Sequence, residues 1–110
     1  MVLELTAENF QKNVVESCVP VLVDFWSPGC APCNRIAPLV EEIAAEANGR
    51  FVVGKINAWE EQDLAARYHI SAVPTLLVFK GGVVVNSLVG FQDKRKLLEA
   101  LKPVLNAHVA

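Results

Sequence analysis

A chain of 110 residues with 53% hydrophobic content has the size of one domain and enough apolar surface for a packed core, so residues 1–110 are read as a single domain. Ten basic against twelve acidic residues give a formal charge of -2, with no basic run of the kind that neutralises phosphates, which argues against a nucleic-acid partner. No apolar stretch reaches the roughly 18 residues of a membrane span, and the opening residues lack the basic and apolar regions of a secretory signal; a soluble, cytoplasmic chain is expected.

Val2 to Leu5 reads as a short strand, and Thr6 as the N-cap of a helix that carries Phe10, Val14 and Val15 on one face. Pro20 then marks the entry to Val21-Leu22-Val23-Asp24-Phe25-Trp26, a run apolar on both sides of its pleat, as a central strand should be. After Cys30-Ala31-Pro32-Cys33, the residues Ile36, Leu39, Val40, Ile43, Ala44 and Ala47 recur at helical spacing up to the stop at Asn48-Gly49, with Pro38 inside. Phe51 to Ile56 is a further strand, and Glu60 to Tyr68 a short helix with Glu60, Glu61 and Asp63 at its positive end. Thr75 to Phe79 and Val83 to Val89 flank Gly81-Gly82, a hairpin signal. A last helix begins near Asp93 and packs through Leu97, Leu98, Leu101, Val104 and Leu105. The order βαβαβαββα implies an α/β fold: a central mixed sheet of parallel strands plus a C-terminal antiparallel hairpin, flanked by helices on both faces.

The chemistry points to Cys30-x-x-Cys33, at a strand-to-helix turn. This spacing lets the two sulfurs meet within the first helical turn, while the helix N-terminus offers unpaired N–H groups and positive potential to a thiolate. Half a zinc site is the competing reading, but only Cys18, His69 and His108 remain to complete it, at no recognisable spacing. A dithiol redox site fits better.

Several separated features together resemble the thioredoxin family over nearly the whole chain. They are Val23-Asp24-Phe25-Trp26, Cys30-x-Pro32-Cys33, Pro38 five residues later, Ile70-Ser71-Ala72-Val73-Pro74-Thr75, and Gly90 before the last helix. The resemblance implies a thioredoxin fold and reduction of protein disulfides, with no bound cofactor. It makes Cys30 the exposed nucleophile and Cys33 the more buried resolving thiol; the helix dipole and N–H bonding are expected to lower the Cys30 thiol from its ordinary value. It places Asp24 beneath Cys33 as the group exchanging protons with it; a buried Asp satisfied by local hydrogen bonds or by Lys55 is the plainer alternative. Lys55 is then a support for proton transfer.

The same resemblance implies a cis Val73-Pro74 bond facing the cysteines and a substrate-binding surface of Trp26, Gly29, Ala31, Pro32, Val73, Pro74 and Gly90. Its implied partners are disulfide-containing proteins and a thioredoxin reductase or a dedicated donor; a monomer is expected. The family pattern has Trp before the first cysteine, Gly after it and Lys after the second, where this chain has Gly29, Ala31 and Asn34. Where the family has Asp, two residues beyond Lys-x-Asn, this chain has Trp59. Trp59 is either apolar cover replacing the missing Trp or an ordinary loop residue. Cys18 is expected to be a buried small hydrophobe, and the two histidines surface or packing residues. A redox-idle binding module and a more oxidising disulfide oxidase or isomerase are the alternative functions.

Overall fold

The computed structural model describes residues 1–106; His108 lies outside them. In chain order come β1 (Leu3–Glu4), α1 (Ala7–Phe10), a π-helical turn (Gln11–Val15), β2 (Val21–Trp26), α2 (Ala31–Ala45), β3 (Val52–Asn57), α3 (Gln62–Arg67), β4 (Thr75–Lys80), β5 (Val83–Val89) and α4 (Lys94–Asn106). One five-stranded sheet runs β1-β3-β2-β4-β5. β1 and β2 are parallel to β3, whereas β2–β4 and β4–β5 are antiparallel. The expected mixed α/β sheet is the one observed.

β2 sits at the centre because both faces of it are apolar. Val21, Val23 and Phe25 point to one core with Phe10, Val14, Ile56, Leu64 and Phe79. Leu22 points to the other, built with Ile36, Val40 and Ile43 of α2 and Leu97 and Leu101 of α4. Burial of each such side chain supplies roughly 1.5–3 kcal/mol, and the two clusters together clamp the sheet between helix layers. Phe10, Tyr68 and Phe79 form an aromatic trio with ring centroids 5.2 to 5.8 Å apart.

The boundaries differ from the sequence reading in instructive ways. The third strand is shifted one residue onward and ends at Asn57, which stays in register with Trp26. The helix expected from Glu60 starts only at Gln62. The Asn57 side-chain oxygen accepts the Trp59 N–H at 3.0 Å, and the Asn57 carbonyl accepts the N–H groups of Glu60 and Glu61, so a turn holds this stretch instead. Leu98 does not face the core as expected; it is exposed, and Ala100 takes the buried position. Cys18 is exposed rather than buried, because it lies in the loop between the π turn and β2 rather than on the inward face of either. The Gly81-Gly82 hairpin turn forms with both residues at positive φ, 62° and 83°, as its tight reversal requires.

The strand directions gather function at one edge of the sheet. β2 and β3 run in parallel and end there; β4, antiparallel to β2, begins there; β5, antiparallel to β4, ends there. Hence Trp26, Asn57, Pro74 and Gly90 meet at one rim although 64 residues separate the first and last.

Candidate active site

β2 leaves the sheet at Trp26 and enters the turn Pro28–Gly29 before α2 begins. Gly29 adopts φ 75°, the left-handed value that glycine takes freely and that suits the second central position of a Pro-Gly turn. A Cβ built on Gly29 would meet no atom within 4 Å. Backbone conformation, not crowding, selects glycine here. In place of the family's Trp the chain thus has a left-handed turn residue in open space, without that apolar surface.

Cys30 is the N-cap of α2, and its sulfur accepts the Cys33 backbone N–H at 3.2 Å. The two cysteines are joined as a disulfide with Cα atoms 5.2 Å apart. Pro32 stands in the first turn, where a missing N–H costs the helix nothing. Cys30 is half-buried and Cys33 only 2% exposed, so an incoming group can reach the first sulfur more readily than the second.

The Val73-Pro74 peptide is cis, and the Val73 carbonyl oxygen lies 3.8 Å from Cys30 Sγ. The Gly90 N–H donates to the Pro74 carbonyl at 2.8 Å, which ties the end of β5 to the start of β4. Cys30, Val73, Pro74 and Gly90 are thus brought together, with Val73 and Gly90 half-buried and Pro74 itself buried beneath them. Ala31 is exposed beside it.

Beneath Cys33 lies a cavity of about 160 Å³ lined by Asp24, Trp26, Cys33, Asn34, Ala37 and Lys55. Asp24 is 4% exposed, and its Oδ1 makes no hydrogen bond within the protein. Burial pushes its carboxyl up to about 7, against the opposing pull of the Lys55 charge. Trp26 borders the same cavity; its buried Nε1 is also without a protein partner, and Lys55 Nζ stands 5.8 Å from its ring centroid. The pair of orphaned polar atoms marks a pocket able to hold a proton-bearing group between acid and thiol.

A family model described as Thioredoxin matches residues 1–103. The chain belongs to the thioredoxin family. Thioredoxin 1 of Nostoc sp. is 43% identical over 99 residues, covering 90% of this chain and 92% of that one. Thioredoxin of Synechocystis sp. is 40% identical over 102 residues, with 93% and 95% covered. The chloroplastic M-type thioredoxin of Chlamydomonas reinhardtii is 41% identical over 99 residues, with 90% and 71% covered. The family activity is thiol–disulfide exchange with reduction of protein disulfides, and the Cys30–Cys33 disulfide is its redox-active group. A cytoplasmic address does not follow from relatives that include chloroplastic proteins.

Among the described residues no group of three or more His, Cys, Asp or Glu could hold a metal ion. No helix among them is long and apolar enough to cross a membrane. His69 is exposed at the end of α3, with φ 56°. Trp59 is 70% exposed on the loop after β3. Sequence reasoning missed Arg35 and Phe91: the Arg35 guanidinium carbon lies 5.4 Å from the Phe91 ring centroid, on the same rim as Gly90. Arg35 follows Asn34 and Phe91 follows Gly90, so each stood one residue from a position already singled out.

Proposed function

We propose that this thioredoxin reduces protein disulfides in two steps, with Cys30 attacking and Cys33 resolving. The observation that carries this reading is the asymmetry of the pair. Cys30 is accessible and sits where a backbone N–H and the positive end of α2 favour a thiolate, while Cys33 is enclosed beside Asp24.

In the first step the Cys30 thiolate forms a bond to one sulfur of the substrate disulfide; the other sulfur leaves as a thiolate and takes a proton. Cys33 gives its proton to Asp24, an acid held near neutrality by burial, and then attacks Cys30. The mixed disulfide breaks and the substrate's second sulfur departs. Two electrons pass from the Cys30 and Cys33 thiols to the substrate, and the intramolecular disulfide remains.

Lys55 opposes the loss of acidity that burial imposes on Asp24 and so keeps the acid able to release its proton afterwards. Val73, Gly90, Gly29, Ala31, Pro32 and Trp26 supply the surface on which the substrate segment lies, with the Val73 backbone next to Cys30 and the buried Pro74 holding it there through the cis bond. A reductase returns the site to the dithiol. Because Gly29 removes an aromatic docking surface, this donor is one matched to the altered turn rather than a generic thioredoxin reductase.

Equilibration against glutathione buffers, followed by tryptophan fluorescence, tests the direction of electron flow. A potential near roughly -270 mV, the reference value for thioredoxins rather than one read from this site, is expected. A value near about -120 mV would make the protein an oxidant.

A further inference from the structure

Two loops follow the strand ends on opposite sides of β2, and among the described residues only one of them meets a charged side chain of the disulfide helix. Strand order places the end of β3, with Trp59 and Glu60, on one side of β2, and the end of β5, with Gly90 and Phe91, on the other. Glu60 is exposed on the first side. On the second, Arg35 lies against the face of Phe91, which is 42% exposed.

No carboxylate among the described residues lies within ion-pair distance of Arg35. Asp93, the acid on the Phe91 loop, accepts the Lys96 N–H at 2.9 Å and caps α4. Lys94 is held by Glu42 and Glu46 at 3.2 and 2.6 Å. Arg35 is thus an exposed guanidinium held at cation–π distance over an aromatic ring, and among the described residues its N–H fork has no ion-pair partner. Such a group is oriented to receive a carboxylate in bidentate fashion.

Backbone hydrogen bonds tie the neighbours of both residues to the disulfide turn. Arg35 lies one residue beyond Asn34, whose N–H donates to the Cys30 carbonyl at 3.0 Å. Phe91 follows Gly90, whose N–H donates to Pro74 at 2.8 Å, next to Cys30.

We infer that Arg35 and Phe91 form a docking element for protein segments that carry an Asp or Glu beside the target cysteine. This rests on the disulfide-reductase reading above and names the class of substrate that site prefers. The aromatic ring stacks under the guanidinium and covers the apolar part of the segment; the guanidinium takes its carboxylate.

Short cyclic disulfide peptides, identical except for Glu, Gln or Lys beside one cysteine, would be reduced by the pre-reduced protein. The readout is the second-order rate constant from tryptophan fluorescence. Wild type is expected to favour Glu over Gln by about threefold and Gln over Lys by about as much, an exposed pair's worth. The preference should shrink in high salt, vanish in Arg35→Gln and reverse toward the Lys peptide in Arg35→Glu. Phe91→Leu should weaken it by loosening the guanidinium. An unchanged Glu-to-Lys ratio in Arg35→Gln overturns the docking element and leaves the reductase reading standing. Failure of wild type to reduce even the Gln peptide overturns both.

Discussion

Asp24 and Lys55 are register partners on adjacent parallel strands, β2 and β3, yet the Lys55 charge does not win control of the acid. Burial raises the Asp24 carboxyl to about 7 in spite of that charge. Desolvation outweighs attraction because the carboxylate is enclosed and lacks a hydrogen bond at Oδ1.

A folded value of about 7 against an unfolded value of roughly 3.9 means that the native state holds the proton more tightly. The resulting stability is complete below about pH 4 and is lost as pH rises through about 7. Some three units correspond to about 4 kcal/mol. Asp24→Asn should therefore be more stable than wild type at pH 7 and lack this loss, while reducing disulfides more slowly. Urea denaturation of both proteins at pH 4 and pH 7.5 checks this; parallel stability changes would refute it.

Removing the opposing charge should push the acid further in the same direction. Lys55→Gln is expected to extend the stability loss of wild type to higher pH, as the restraining attraction disappears. The midpoint of the pH dependence, taken from denaturation series, reports it. A downward movement would mean that Lys55 does not act on Asp24 through charge.

The two cysteines should fail differently. Cys30→Ser removes the attacking sulfur of the site and should abolish disulfide reduction. Cys33→Ser keeps the attacker and should accumulate mixed disulfides, visible by mass spectrometry after mixing with a disulfide substrate. Multiple turnovers by Cys33→Ser would show that another group resolves the intermediate.

Gly29 holds φ 75° in open space. Any L side chain there costs about 1–2 kcal/mol of backbone strain, so Gly29→Ala should destabilise by that amount and Gly29→Asn by less. Restoring the family's Trp at this position should carry the same strain. Denaturant midpoints of the Ala and Asn variants separate conformational cost from side-chain size; equal stability of Gly29→Ala and wild type would refute the turn argument.

The aromatic trio supplies a test of the core itself. Phe79 is fully buried between Phe10 and Tyr68, and Phe79→Ala should cost about 3–5 kcal/mol through lost burial and a residual cavity. Thermal and chemical unfolding measure it. A loss under about 1 kcal/mol would mean that the neighbours collapse into the gap.

The apolar run of β2, the helical spacing of α2 and the Gly81-Gly82 hairpin were legible because each writes its period directly into the chain. So was the Cys30–Cys33 pair. The cis Val73-Pro74 bond was legible only through resemblance, since nothing in its neighbours' propensities favours it. The Asn57-built turn was not foreseen, because a side-chain oxygen that gathers N–H groups leaves no periodic trace. Cys18 was misjudged since residue type reports average burial and not which way a loop turns. Arg35 and Phe91 are 56 residues apart, and only the fold makes them neighbours.

β5 ends the sheet with Val83, Val84, Val85 and Val89 exposed and no charged residue from Val83 to Val89. Outermost strands commonly carry lysine or proline, which discourages other chains from extending the sheet. Here the register shifts between Val78, opposite Asn86, and Phe79, opposite Val84, so that Val85 is the extra residue of β5, and such a bulge generally increases local twist. An outer strand so free of charge has a backbone irregularity in place of electrostatic repulsion to discourage a further strand from pairing with it.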